Sequence, residues 1–199
     1  MATAARTGTT YETRRLVDTE TRAAAIALHT TWVQTLGAVT ASSAMRDVED
    51  FLRLLERSTV IKLLAFDPDE GLAGVAFLTN ELDLVPGISS EFFLARYPAE
   101  VASGDLWYLI SGVAHPARPG VLDALRKKGV DAAHRRQAAV LVWDSDSLHG
   151  SSVERNTVDA VRTVSNSMVD PVELDRVSYM AIELSADEEA RIIDLRADD

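Results

Sequence analysis

The chain has 199 residues, 47% of them hydrophobic, and carries a formal net charge of −11 from 20 basic and 31 acidic side chains. That length holds one well-buried core and is short for two, and the hydrophobic fraction argues against wholesale disorder. The excess negative charge repels a polyanion at long range, which disfavours general nucleic-acid binding. No apolar run approaches the ~18 residues of a membrane span. The first ten residues are small and polar, without the apolar core of a signal peptide. With no cysteine there is neither a disulfide framework nor thiolate chemistry. The expectation is a cytoplasmic protein with no membrane partner. Its preference for Arg over Lys and its many alanines suggest a bacterial, GC-rich source.

In chain order, residues 1–10 read as a flexible N-terminus, 11–185 as a single domain, and 186–199 as a short acidic C-terminal helix and tail. Strand-like residues occupy 11–17. From 19 to 39, Ala25, Leu28, Trp32 and Leu36 recur at helical spacing behind an Asp18 or Thr19 cap. A second helix after Ser42 and Ser43 buries Val48, Phe51, Leu52 and Leu55. Two β-branched apolar runs, 59–66 and 72–79, flank Asp67-Pro-Asp-Glu-Gly71, a turn with Pro to set φ and Gly for positive φ. Residues 80–104 exceed a hairpin loop; Ser89 or Ser90 caps a short helix through Phe92, Phe93 and Arg96 that Pro98 ends.

Residues 106–114 (LWYLISGVA) read as a buried strand, in which Gly112 predicts a bulge or a close backbone approach. A tight loop, 115–120, leads into a helix from about 121 to 136 with Leu122, Leu125, Gly129 and Ala132 on one face. Another apolar strand follows at 138–143. Ser151 and Glu154 form a capping box for a helix through Val158, Val161 and Val164. A late strand, 177–184, precedes a terminal helix capped from Ser185 to Glu188, with Ile192 and Leu195 on its apolar side. The fold class is α/β: a mixed, partly antiparallel central sheet of about six strands with helices on both faces. The strands 106–114 and 138–143 are neighbours and parallel, joined by a right-handed crossover.

This order, and the segment LWYLISGVAHP followed by a Gly-containing loop and helix, resembles the Gcn5-related N-acyltransferase (GNAT) superfamily. The likeness in element order spans roughly residues 11–184, and the local similarity covers 107–125. It implies that the fourth strand splays from its parallel neighbour at a bulge and offers free backbone groups to the pantetheine arm of acetyl-CoA or another acyl-CoA. The next loop then turns its amides to the pyrophosphate at a helix N-terminus, where unpaired N–H groups and the helix dipole favour anions. Val113 and His115 match the family's strand end, and Gly120 and Val121 its helix start; Arg118 is the loop's cation. Three residues separate Pro116 from Gly120, Pro119 removes an amide donor, and Leu122 stands where the family has a second Gly or Ala, crowding a phosphate.

Arg118, Arg126, Lys127, Lys128, Arg135 and Arg136 crowd one stretch. Arg118, Arg126, Lys127 and Lys128 either hold CoA phosphates or form a solvated helix face. The family's usual base is a Glu on or beside the fourth strand. Here the nearest groups are Asp105 and Tyr108, which are the catalytic candidates, each with a structural alternative as a strand-end Asp or a packed Tyr. The reaction implied is acyl transfer to an amine of a small molecule or protein, without a metal, and it leaves room for a homodimer. The alternative is a GNAT-like binding or regulatory protein without turnover. Asp144, Asp146 and His149, after the 138–143 strand, read either as metal ligands or as a polar loop.

Overall fold

A computed structural model describes residues 8–36, 47–143, 150–165, 171, 172, 174, 180–184 and 190–194. It opens with β1 (Thr10–Arg14), α1 (Thr19–Leu36) and α2 (Val48–Glu56), then the hairpin β2 (Ile61–Asp67) and β3 (Gly71–Thr79). The insertion 80–104 carries a 3₁₀ turn (Leu82–Leu84), α3 (Ser90–Arg96) and α4 (Pro98–Ser103). β4 (Leu106–Ala114), α5 (Val121–His134), β5 (Val140–Trp143) and α6 (Gly150–Ser165) follow. The chain forms two compact units, Met1–Met168 and Val169–Asp199.

In the first unit the five strands are ordered β1-β2-β3-β4-β5; the first three pairings are antiparallel and β4–β5 is parallel. This is the mixed α/β sheet expected. Ile61, Leu63 and Ala65 of β2, Ala76 and Leu78 of β3, and Trp107 and Leu109 of β4 share one face with Val121, Leu125 and Val130 of α5. Alternation along a strand sends Phe77 to the other face. There it meets Phe51 of α2 at 5.6 Å, and Phe51 in turn stacks on His29 of α1 at 4.6 Å. Helices therefore cover both faces.

Local chemistry sets the element ends. Asp47 caps α2, its carboxylate accepting a hydrogen bond from the Glu49 N–H at 2.7 Å. Asp47→Ala should lower stability by about 1 kcal/mol, read as a fall in urea midpoint at unchanged m-value. Pro98 ends α3 as expected but also begins α4, since the first helical position needs no N–H. Gly104, at φ 77°, closes α4.

The second unit pairs β6 (Met180–Leu184) antiparallel with β7 (Ala190–Asp194), so the late strand joins a two-stranded sheet of its own. The terminal helix expected from the Ile192 and Leu195 spacing is corrected over 190–194, which is extended. Adjacent β-branched Ile192 and Ile193 favour a strand once Ile182 and Ala181 lie opposite them. The cap proposed at 185–188 lies outside the described residues. Among the described residues no helix is long and apolar enough to cross a membrane.

Candidate functional site

The β3–β4 pairing carries an irregularity. Phe77 faces Ile110 and Val75 faces Val113, so two steps on β3 match three on β4, placing a bulge at Ser111–Gly112. A Cβ built on Gly112 would lie 1.7 Å from the Val75 carbonyl oxygen. The close approach that the glycine predicted is therefore real. The extra residue also shifts the alternation, so Ala114 shares a face with Trp107 and Leu109 despite its even number.

Parallel pairing with β5 covers only Leu106 to Leu109, opposite Val140 to Trp143. Beyond Leu109 no described strand lies on that side of β4. The His115 N–H donates to the Ala73 carbonyl at 2.9 Å, making 73 and 115 a hydrogen-bonded pair. The N–H and C=O of Ala114, opposite Gly74, consequently point away from β3. Val113 is buried against β3.

The loop 115–120 is tightly turned. The Arg118 N–H donates to the His115 carbonyl at 2.9 Å, and His115 Nδ1 accepts from the Ala117 N–H at 3.3 Å. Gly120 caps α5 at φ 85° without a side-chain bond. The backbone can thus come close to a ligand at the amides opening α5. Val121 is buried, its Cγ1 2.5 Å from where a Gly74 Cβ would stand, which seats the helix start directly on β3. Leu122 packs, partly buried, against the core, so its bulk is taken up there.

Arg118 does not stand free as the loop's cation. Its Nη2 lies 3.1 Å from Asp67 Oδ1 and 3.2 Å from Glu70 Oε1, and its Nε donates to Glu70 Oε2 at 3.2 Å. Asp67 is buried and also accepts from the Asp69 and Glu70 N–H groups at 2.9 and 3.2 Å. Glu70 Oε2 is 3.9 Å from His115 Nδ1. Sequence reading used Asp67 and Glu70 only as turn residues. The signal in the sequence is three carboxylates, Asp67, Asp69 and Glu70, in one short turn.

His115, Arg118, Gly120 and Val121 therefore converge at one end of β4. Asp105 stands at the other, about 30 Å away by the ~3.3 Å rise per residue. The Asp105 carbonyl accepts from the Ala139 and Val140 N–H groups at 3.0 and 3.3 Å and so anchors the start of β5. Tyr108 is buried between Thr79 and Val142, its ring edge-on to Phe93 at 6.2 Å.

Much of the basic cluster is engaged locally. Arg126 pairs with Asp123 at 2.8 Å, Arg135 with Asp131 at 2.9 Å, and Arg136 lies over the Trp107 ring at 5.6 Å. Lys127 and Lys128 are exposed. A cleft of about 440 Å³ lies under the 80–104 insertion, lined by Arg57, Glu81, Leu82, Asp83, Glu91 and Leu94 among others. Asp144, Asp146 and His149 lie outside the described residues. Among the described residues no group of three His, Asp or Glu side chains is placed to hold a metal ion.

No family model matches the chain, and no curated protein matches it. Nine chains of solved structures do, three of them as follows. An aminoglycoside acetyltransferase from an uncultured soil metagenomic sample, in complex with trehalose, is 12% identical over 85% of this chain and 95% of its own, with a TM-score of 0.42. An aminoglycoside N-acetyltransferase in complex with CoA is 13% identical over 87% of this chain and 98% of its own, with a TM-score of 0.45. An acetyltransferase of the GNAT family from Streptococcus pneumoniae is 16% identical over 85% of this chain and 99% of its own, with a TM-score of 0.38.

Proposed function

We propose that the chain is an acyl-CoA-dependent N-acyltransferase, acting on an amine of a small molecule or protein. The observation that carries this reading is the bulge at Ser111–Gly112 on β4, the strand that leads through the 115–120 loop into α5. Past the bulge the Ala114 N–H and C=O point away from β3 and can serve an extended ligand, with Val113 seated against β3 beside them. The strand then runs into α5, whose glycine cap adds no side chain at the helix N-terminus, where the dipole favours an anion. In this reading Ala114 and Gly120 bind through the backbone and Arg118 through its guanidinium, while Val113, His115 and Val121, whose N–H groups are turned to β3 or engaged in the loop, fix the strand end and helix start that present them.

The chemistry joins the amine nitrogen to the thioester carbonyl carbon and breaks the C–S bond; the thiolate takes up a proton. An amine with a pKa near 10 must first lose one. Asp105, about 30 Å from the 115–120 loop, is too far to take it, so in this assignment water does, and Tyr108, three residues before the bulge, orients the amine. No metal is required. The cleft under the 80–104 insertion, with Glu81, Asp83 and Glu91 on its walls, suits a cationic acceptor.

Thermal melts with acetyl-CoA and longer acyl-CoAs test the reading. A ligand at 100 times its Kd adds about 2.7 kcal/mol and raises Tm measurably. Unchanged Tm at millimolar acyl-CoA, with no chemical-shift changes around 113–121, would sink it. The second reading, a GNAT-like binding protein without turnover, is favoured by the engagement of Arg118 with Asp67 and Glu70 and by the burial of Tyr108. Acyl-CoA binding without thiol release across a panel of amines would select it.

A further inference from the structure

We propose that Glu70 is an internal competitor for the anion site at the start of α5, setting how tightly that site holds a phosphate group. The inference rests on the acyl-CoA reading for the identity of the ligand, but its own substance is the three-way contact of Arg118, Asp67 and Glu70. One guanidinium serves two carboxylates at 3.1–3.2 Å, leaving the trio with a net charge of −1. An incoming phosphate therefore meets surplus negative charge where the loop's cation should attract it.

The two carboxylates are not equivalent. The Asp67 side chain is 7% exposed and fixed by two backbone N–H donors from the turn that follows it. Pulling Arg118 from Asp67 would leave a buried charge without its cation, which is costly. The Glu70 side chain is 44% exposed, and exposed ion pairs contribute little. It is free to swing into water at small cost. A phosphate entering above Gly120 displaces Glu70 while Arg118 stays anchored on Asp67, and the guanidinium edge thus freed binds the phosphate. Asp67 positions the cation, and Glu70 determines its availability.

The test compares wild type with Glu70→Gln by calorimetric titration, using inorganic pyrophosphate and acetyl-CoA separately, and repeats both in an Arg118→Ala background. Pyrophosphate affinity should rise about five- to tenfold in Glu70→Gln, within the range usual for coupled sites. The gain should vanish when Arg118 is absent. Equal pyrophosphate affinity in wild type and Glu70→Gln, or a gain that survives Arg118→Ala, overturns the proposal. Absence of pyrophosphate binding to every variant does so too. Tighter pyrophosphate without any acetyl-CoA binding keeps this inference and rejects the acyl-CoA reading. Circular dichroism melts check that Glu70→Gln remains folded.

Discussion

Gly112→Ala should destabilise the first unit by about 3 kcal/mol, at the upper end of overpacking effects. The added methyl would meet the Val75 carbonyl oxygen at 1.7 Å and the Val75 carbonyl carbon and Ala76 Cα at 2.6 Å. All three are backbone atoms, so no side-chain rotation relieves the clash. The β3–β4 pairing itself has to open, at the middle of a five-stranded sheet. Urea denaturation reads the loss as a lower midpoint. Gly8→Ala, where nothing lies within 4 Å of the added carbon, is the control and should leave the midpoint unchanged. A Gly112→Ala midpoint equal to that of wild type would show that β4 does not approach β3 in this way. Because Ala114 and the loop into α5 follow directly on the bulge, the same variant should weaken any acyl-CoA response.

Lys62→Met should cost about 2 kcal/mol at pH 7, and the gap to wild type should widen as pH rises above 8. Lys62 is fully buried on β2, on the face that also carries Phe77. Its ammonium donates to the carbonyls of Arg15 at 2.7 Å and Val60 at 3.1 Å, and to that of Arg57. The Arg57 carbonyl also accepts from the Val60 N–H. Methionine fills similar space but leaves the other two carbonyls short of a donor, at about 1–3 kcal/mol for an unsatisfied buried group, partly offset by removing a buried charge.

Burial, and to a lesser degree the charge of Arg15, lowers the Lys62 pKa from 10.5 to about 8. Between those values the unfolded chain holds the proton and the folded chain has released it. The unfolded state therefore binds more protons, and this residue's contribution to stability rises with pH across the window. Below about pH 8 both states are protonated and the dependence vanishes. Denaturation midpoints for both proteins from pH 7 to 10 check the sign. A gap that narrows with pH would contradict a depressed Lys62 pKa.

The sequence carries local signals well. The Pro and Gly of the 67–71 turn announce the β2–β3 hairpin, Gly112 announces its close contact, and the apolar runs 106–114 and 138–143 announce the parallel pair. What escapes is whatever depends on distant partners. Nothing in the spacing links Arg118 to carboxylates about fifty residues earlier; only the fold brings the 67–71 turn beside the β4–α5 loop. Lys62 reads as an ordinary polar interruption in an apolar strand, because its three acceptors are backbone carbonyls that no residue type reveals. Asp105 looks near the loop because ten residues seem few, yet an extended strand turns them into most of the width of the domain. At the C-terminus, i and i+3 spacing suggested a helix where two adjacent isoleucines are better suited to a strand.

The strand order β1-β2-β3-β4-β5 is also the order in which the strands leave the ribosome. Each new strand finds its only earlier neighbour already made, so the sheet can grow by accretion from one edge. Three of the four pairings run antiparallel between strands consecutive in the chain. The parallel pairing of β4 with β5 is different: it must await the fourteen residues of α5, whose Gly129 has to settle onto Leu109 and Leu63 before β5 can reach its place. Because α5 carries the chain back from the end of β4 to the start of β5, its docking onto the sheet is what brings the last strand into place.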